Sequence, residues 1–341
     1  MESTKSAMED VGLQWNPKKC AVVHDTSGLR VDENICVSDL EEGNQYKFLG
    51  VLETVRQEEK MSLECAAKEF LRRMSFIRSS PLSVNNRVTG SNQFALLLLG
   101  YLTWTQQWPV TELKTLDREA RKRVVENGGK HPSGSTSILY MPREKGGRGL
   151  RSIEEEYKVT KIKAAMKLYG NGDPVMAMVR EFEERAEELG HSSLVKEAAK
   201  YAEEMGLQLQ LEYPNPTCIK HDCGEVIRVE KLKAELRRYL EQKTWEAVHE
   251  QNWQGKLISA RSEDESLNFE GCFWWPSGWK QCPTRTVAEV FELYEQLLPT
   301  RLYTGEVMCR LCNKAPENVA MSWLVVLPLY RTSTLPDITQ P

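Results

Sequence analysis

The chain has 341 residues, enough for two or three domains that each bury a hydrophobic core. A hydrophobic content of 40%, a charged content of 28% and a net charge of -4 are those of a folded globular protein, and they exclude a disordered tail and a membrane protein. No apolar run approaches the roughly 20 residues that cross a bilayer, and the first residues lack the pattern of a secretion signal. We therefore expect no membrane partner, an intracellular location (nuclear or cytoplasmic) and reduced thiols for the nine scattered cysteines.

The N-terminal residues predict a small α+β unit. Residues 3–12 have the spacing of an amphipathic helix that ends at a glycine. After the Asn16–Pro17 turn, the apolar run 20–23 predicts one strand and the alternating run 46–51 predicts a second. We expect a helix, a turn and a small sheet, in that order.

From residue 58 onward, apolar residues recur with the 3.6-residue period of a helix. Helices are predicted at about 58–79, 84–104 and 152–169. Another helix is predicted between them, with Thr111 as its N-cap and the glycines that follow residue 127 as its end. The helix at 152–169 begins at a serine that is followed three residues later by Glu155, which matches the capping box. Short connections between these helices predict an antiparallel bundle.

The second half of the chain is also predicted to be mainly helical. Helices are expected near residues 175–206 and 226–251, separated by the proline-rich segment 213–216, and a last helix is expected near 286–298. The predicted fold class is therefore mostly α with a small α+β N-terminal piece. A helical bundle is followed by a helical C-terminal region.

Charge is distributed unevenly along the chain. Between Lys114 and Lys167 there are 14 Lys or Arg against 7 Asp or Glu, a local net charge of +7, whereas residues 181–204 are acidic. A basic stretch of this kind can contact the phosphates of a nucleic acid. The alternative is ordinary solvated Lys and Arg on the outer faces of amphipathic helices.

Two short motifs near the N-terminus resemble the palm of reverse transcriptases. Residues 12–20, GLQWNPKKC, are similar to the fourth palm motif, a helix, turn and strand. Residues 46–50, YKFLG, are similar to the primer grip, a tight hairpin that in the family positions the 3′ end of the primer. The order and the spacing of the two motifs both match the family.

The segments that follow resemble the thumb of non-LTR (LINE-type) retrotransposon reverse transcriptases. They are residues 79–129, with the strings RVT, NQF, WTQQW and DREAR, and residues 142–150, PREKGGRGL. Leu97 stands where we expect the family to have proline, so the helix around it is predicted to be unbroken. The resemblance extends to about Ala320.

The resemblance divides the chain into five regions of the C-terminal part of such an enzyme. They are the end of the palm at 1–54, a thumb-like helical bundle at 55–170, a helical connector at 171–251, a Trp-rich and helical region at 252–308, and a disrupted zinc knuckle with its tail at 309–341.

The resemblance also implies which residues grip an RNA template and a DNA primer. The implied contacts come from the primer grip, from arginines of the thumb, and from the glycine-rich loop at 146–150 with its flanking residues. In this loop, backbone N–H groups near a helix start suit phosphate oxygens. The implied contact residues are Tyr46, Phe48, Leu49, Gly50, Arg72, Arg73, Arg87, Lys145, Arg148 and Arg151.

Catalysis in this family needs paired aspartates that hold Mg²⁺ against a triphosphate. The resemblance implies that they lie upstream of residues 3–12, so we expect a remnant that keeps gripping elements without these aspartates and without a cofactor of its own. Lys19 matches a family lysine that acts as a general acid, a role that has meaning only beside a bound nucleotide. The alternatives are a nucleic-acid-binding protein without catalysis and a helical scaffold for protein partners.

Cys309 and Cys312 match the first two ligands of the family's zinc knuckle. No histidine follows Cys312, so we expect an incomplete metal site that has lost zinc. The apolar run 321–328 can be encoded by codons whose shifted frame reads His-Val-Leu-Ala-Gly-Cys-Ser-Ala, close to the family's ending. We therefore hypothesise a frameshift near residue 320, which the coding sequence tests directly.

Overall fold

The structure is a computed structural model that describes residues 21–22, 30–32, 35–36, 38–39, 46–48, 51–53, 59–251, 256–263, 284–295, 297 and 308. The helix predicted at 3–12 lies outside the described residues. The described part is mostly helical, which confirms that the chain is mostly α. Within it, no helix combines the length and the apolar character needed to cross a membrane.

Short strands precede the helices and pair two by two. They are β1 (Ala21–Val22), β2 (Arg30–Asp32), β3 (Ile35–Cys36), β4 (Ser38–Asp39), β5 (Tyr46–Phe48) and β6 (Val51–Glu53). β1 pairs in parallel with β4, and β2 pairs antiparallel with β3. β5 and β6 pair antiparallel with Phe48 opposite Val51, the pairing expected of a hairpin at the second predicted strand.

The described α-helices are α1 (Glu59–Ser79), α2 (Val84–Gly90), α3 (Leu96–Thr105), α4 (Val110–Glu126), α5 (Thr136–Tyr140), α6 (Ile153–Gly170), α7 (Pro174–Glu188), α8 (Leu194–Glu204), α9 (Val229–His249), α10 (Lys256–Glu263) and α11 (Thr284–Tyr294). A π-helix (Ser91–Ala95) joins α2 to α3, and a 3-10 turn (Arg143–Lys145) follows α5.

The first helices follow the predicted stripe. α1 buries Leu63, Phe70 and Met74, which recur at helical spacing on one face. α2, the π-helix and α3 form one helical segment over 84–105, hereafter the long helix, which runs through Leu97 without a break as predicted. Ser83 begins this segment by accepting a hydrogen bond from a backbone N–H in its first turn.

The start of α4 differs from the prediction. The helix begins at Val110 with Pro109 at the N-cap position, so the prediction of Thr111 as the N-cap was wrong. Pro109 and Val110 already have the conformations of a helix start, which places Thr111 inside the first turn. The helix ends before Gly128, whose φ of 67° is the left-handed conformation that glycine accepts.

α6 is the central helix of the bundle. It packs against α3, α4, α8 and α9, and it is fully buried on two sides, at Tyr157 on one and at Ile162 and Met166 on the other. Ser152 begins α6 by accepting a hydrogen bond from the N–H of Glu155 at 3.4 Å, so the serine half of the predicted capping box is confirmed. The carboxylate of Glu155 instead pairs with Lys243 on α9 at 2.8 Å.

The region between α6 and α9 contains a sheet that the sequence did not predict. The helical stretch expected at 175–206 is two helices, α7 and α8, separated at Gly190. An antiparallel sheet follows, with the order β7 (Leu207–Gln210), β8 (Thr217–Lys220), β9 (Val226–Ile227). The predicted helix at 226–251 therefore starts after β9, at Val229, and the expectation of a loop between two helices was wrong.

The described residues form one main core and one smaller cluster. The main core joins α1, the long helix, α4, α6, α8, the sheet and α9. The smaller cluster contains Ile138, Val248, Val287 and Phe291, and it attaches α11 to the end of α9 and to the glycine-rich loop region. The main core holds α6 and α9 side by side, with their outer faces on the surface.

Candidate nucleic-acid interface

Asp117 occupies the start of α6, where the resemblance implies phosphate binding. The Ser152 hydroxyl donates a hydrogen bond to Asp117 Oδ2 at 2.7 Å, and the N–H groups of Ile153 and Glu154 donate to the same carboxylate at 3.0 and 3.2 Å. Burial raises the pKa of Asp117, and these hydrogen bonds oppose that shift. An internal carboxylate thus already satisfies the donors that a phosphate would use.

The glycine-rich loop directs Arg148 into the protein. The residue is 4% exposed, its guanidinium donates to the carbonyl of Gly129, and it lies 3.4 Å from the carboxylate of Glu295 and 3.9 Å from the ring centroid of Phe291. Burial lowers the pKa of Arg148, and the charge of Glu295 opposes that shift. Arg148 therefore connects the loop to α11, and its charge does not face solvent.

The other side of the loop is attached to the long helix. Asn92 Nδ2 donates to the Gly149 carbonyl at 2.8 Å, and Asn92 Oδ1 accepts from the N–H of Arg151 at 3.0 Å. Arg87 on the same helix donates to the Ser80 carbonyl at 2.7 Å. Two of the predicted phosphate ligands, Arg87 and Arg148, thus hold chain segments together.

Two exposed arginines of α1 share one carboxylate. Arg72 Nε and Arg73 Nε lie 2.6 and 2.9 Å from Glu69, and Arg73 also donates to the Phe94 carbonyl at 3.0 Å. The hydrogen bonds from Arg72 and then Arg73 lower the pKa of Glu69 to about 2. Both arginines are accessible, and each already has an acidic partner.

Lys145 and Arg151 are similar to the α1 arginines in this respect. Lys145 lies 3.9 Å from Glu241, and Arg151 lies 3.6 Å from Glu156. The structure therefore separates the predicted ligands into internal ones and exposed ones with carboxylate neighbours. Among the predicted ligands whose side chains are described, only Arg72 and Arg73 share a partner, Glu69.

The remaining predicted site residues have no described side chains. Tyr46 and Phe48 lie in β5 without described side chains, and Lys19, Leu49, Gly50, Cys309 and Cys312 lie outside the described residues. Among the residues whose side chains are described, no three His, Cys, Asp or Glu are grouped as metal ligands. The incomplete zinc site stays a prediction.

A cleft of about 980 Å³ opens between α4, the start of α6 and α9. Its lining mixes cations such as Arg121 and Lys243 with carboxylates such as Glu154 and Glu155. The paired charges give this cleft little net attraction for a polyanion. Arg237 lines this cleft and also lines a smaller groove on α9, together with Lys233 and Glu241.

The outer faces of α6 and α9 carry four cations, which we name the basic cluster: Lys163, Lys167, Lys233 and Arg237. Lys163 and Lys167 are one helical turn apart on α6, as are Lys233 and Arg237 on α9. The pKa of Lys163 is lowered by burial and then by the charges of Lys233, Lys167 and Arg237, whereas Glu156 opposes the shift. Lys163 therefore lies within interaction distance of the other three charges.

The basic cluster differs in its partners from Arg72, Arg73, Lys145 and Arg151, each of which lies beside a carboxylate. In the described part of the chain, none of its four members forms an ion pair. Glu241, which borders the same groove on α9, lies instead beside Lys145. Like charges held together without a carboxylate partner create a local positive potential.

Sequence reasoning missed this cluster. The two lysines of α6 were counted inside a broad basic stretch, and α9 was outside it. A signal was present, because each helix has two cations spaced by four residues, an arrangement that destabilises an isolated helix. The adjacency of the two pairs depends on α6 packing against α9.

Comparison of the sequence with protein-family models finds no match, and comparison with curated proteins finds none either. The resemblance to reverse transcriptases therefore stays a prediction based on the motifs themselves.

Proposed function

We propose that the basic cluster binds the phosphate backbone of a nucleic acid. The observation that carries the proposal is the set of four unpaired cations on the two packed helices α6 and α9. Cations of this kind release bound counterions from a polyanion, which supplies most of the affinity of sequence-independent binding. Arg148, which pairs with Glu295, and Asp117, which accepts hydrogen bonds from the start of α6, are both internal and offer no such surface.

The resemblance to non-LTR reverse transcriptases supports the same class of ligand. In that family, palm and thumb grip an RNA template paired with a DNA primer. We propose grip and assign no reaction to this chain, with an intracellular, nuclear or cytoplasmic location. Arg72, Arg73, Lys145 and Arg151 would add contacts by exchanging their carboxylate neighbours for phosphates.

The experiment measures binding of a fluorescent nucleic acid by anisotropy at low salt. The test variant combines Lys163→Gln, Lys167→Gln, Lys233→Gln and Arg237→Gln. Because four phosphate contacts are lost, we expect affinity to fall by about tenfold or more. No binding by the wild-type chain at low salt contradicts the proposal.

A matched control removes the same amount of charge from other surfaces. It combines Lys122→Gln, Arg123→Gln, Lys200→Gln and Arg285→Gln, four cations beside carboxylates. We expect it to retain most of the affinity. Equal losses in both variants would show that net charge alone determines binding, and they would contradict a role for this cluster.

A further inference from the structure

An apolar stripe lies on the exposed face of the long helix. Phe94, Leu97, Tyr101 and Trp104 are 66%, 67%, 44% and 38% exposed. Their spacing of three, four and three residues places them on one face, over about 15 Å. We name these four residues the aromatic stripe.

The opposite face of the long helix is buried in the main core. Ala95, Leu99 and Leu102 belong to the main core and are almost inaccessible. The aromatic stripe is therefore not part of that core. Large apolar side chains in a continuous exposed row indicate a surface that binds another molecule.

Cations border the aromatic stripe at both ends. Arg73 donates a hydrogen bond to the carbonyl of Phe94 at 3.0 Å. At the other end, Lys167 Nζ lies 5.1 Å from the centroid of the Trp104 ring, within the range of a cation–π interaction. Lys167 also belongs to the basic cluster, so the aromatic stripe and the basic cluster form one continuous surface.

This combination selects among possible ligands. An apolar protein surface would have to remove water from Lys167, which forms no ion pair with a described residue, without supplying a counter-charge. A duplex presents phosphates, but its bases are stacked inside and cannot reach the aromatic rings. An unpaired strand presents both phosphates and the flat faces of its bases, the pair of groups that this surface complements.

We propose that the aromatic stripe stacks the bases of a single-stranded nucleic acid while the basic cluster contacts its phosphates. This inference rests on the proposed function and specifies its ligand. It predicts that an unpaired strand binds more tightly than a duplex of the same length. The contribution of the stripe should be independent of salt, because stacking releases no counterions.

The test compares a labelled oligothymidylate of about 16 nucleotides with the corresponding duplex, a length within the usual range for such sites. Phe94→Ala and Tyr101→Ala each remove one exposed ring. We expect each to weaken single-strand binding by roughly 5- to 150-fold and to leave duplex binding unchanged. The slope of affinity against salt should stay that of the wild type.

A control uses exposed apolar residues of a different helix, α7. Met178→Ala and Phe182→Ala remove side chains that are also exposed, and they should leave single-strand affinity unchanged. Urea unfolding of every variant shows whether the fold is retained. Trp104→Phe keeps a ring beside Lys167 and should retain most of the single-strand affinity.

The outcomes distinguish this inference from the proposed function. If Phe94→Ala and Tyr101→Ala leave single-strand affinity intact while the basic-cluster variant weakens it, the stripe does not stack bases and the proposed function stands. If the wild-type chain binds neither strand nor duplex, both proposals fail. If the alanine variants abolish self-association in light scattering but not nucleic-acid binding, the stripe is a contact between copies and the inference is wrong.

Discussion

The glycine-rich loop and the outer faces of α6 and α9 are both rich in cations, yet they use them differently. In the loop, Arg148 pairs with Glu295 inside the protein, and the start of α6 is occupied by Asp117. On the outer faces, the basic cluster has no carboxylate partner within the described part of the chain. Charge density in the sequence therefore does not locate a binding surface, because the partners of each charge determine whether it is available.

Among the substitutions that test this comparison, removal of Glu295 should change the free energy of unfolding most. Glu295→Gln leaves the buried guanidinium of Arg148 without its counter-charge, and we expect the free energy of unfolding to fall by about 3–5 kcal/mol. Urea denaturation measures the change. The control Glu289→Gln removes an exposed carboxylate from α11, the helix that ends one residue before Glu295, and should change stability very little. Equal effects would show that the loop charges are not structural.

Removal of Asp117 should have the second largest effect. Asp117→Ala leaves the N–H groups of Ile153 and Glu154 buried without an acceptor, at an expected cost of about 2–3 kcal/mol. Asp173→Ala removes an N-cap from the exposed helix α7 and should cost about 1 kcal/mol. A phosphate that stabilises Asp117→Ala but not the wild type would show that this carboxylate occupies a latent anion site.

The smallest expected change in the free energy of unfolding is an increase, caused by Lys163→Gln. Lys163→Gln relieves repulsion within the basic cluster, so we expect unfolding to require more free energy, by about 0.2–0.5 kcal/mol for each like-charge pair removed. Because the folded-state pKa of Lys163 is lowered, the folded state binds fewer protons as the pH approaches the usual 10.5, and this group makes wild-type stability rise with pH there. The substitution should remove that rise. A loss of stability at neutral pH would show that Lys163 has a partner.

Local patterns predicted much of the helical fold. The stripe of Leu63, Phe70 and Met74 and the serine before α6 determine their helices through contacts within a few residues. The sheet at 207–227 was missed because its strands have two to four residues and surround a proline-rich segment typical of a loop. Its stability depends on packing of strand residues such as Leu207 and Cys218 into the main core.

The site was less predictable than the fold, because its partners are distant in sequence. Arg148 and Glu295 are separated by 147 residues, so no local pattern shows that they pair. The lysines of α6 and the cations of α9 are visible as two spaced pairs, but their adjacency arises from helix packing. Sequence alone gives the type of charge, and the fold decides which charges face solvent.

The salt dependence of nucleic-acid binding tests the central claim most directly. The slope of the logarithm of the association constant against the logarithm of salt concentration counts the phosphates that the protein neutralises, at about 0.7–0.9 for each contact. We predict that the variant lacking the basic cluster has a slope about 3 smaller in magnitude than the wild type. The charge-matched control should keep the wild-type slope. Identical slopes for the wild type and the basic-cluster variant would contradict the account.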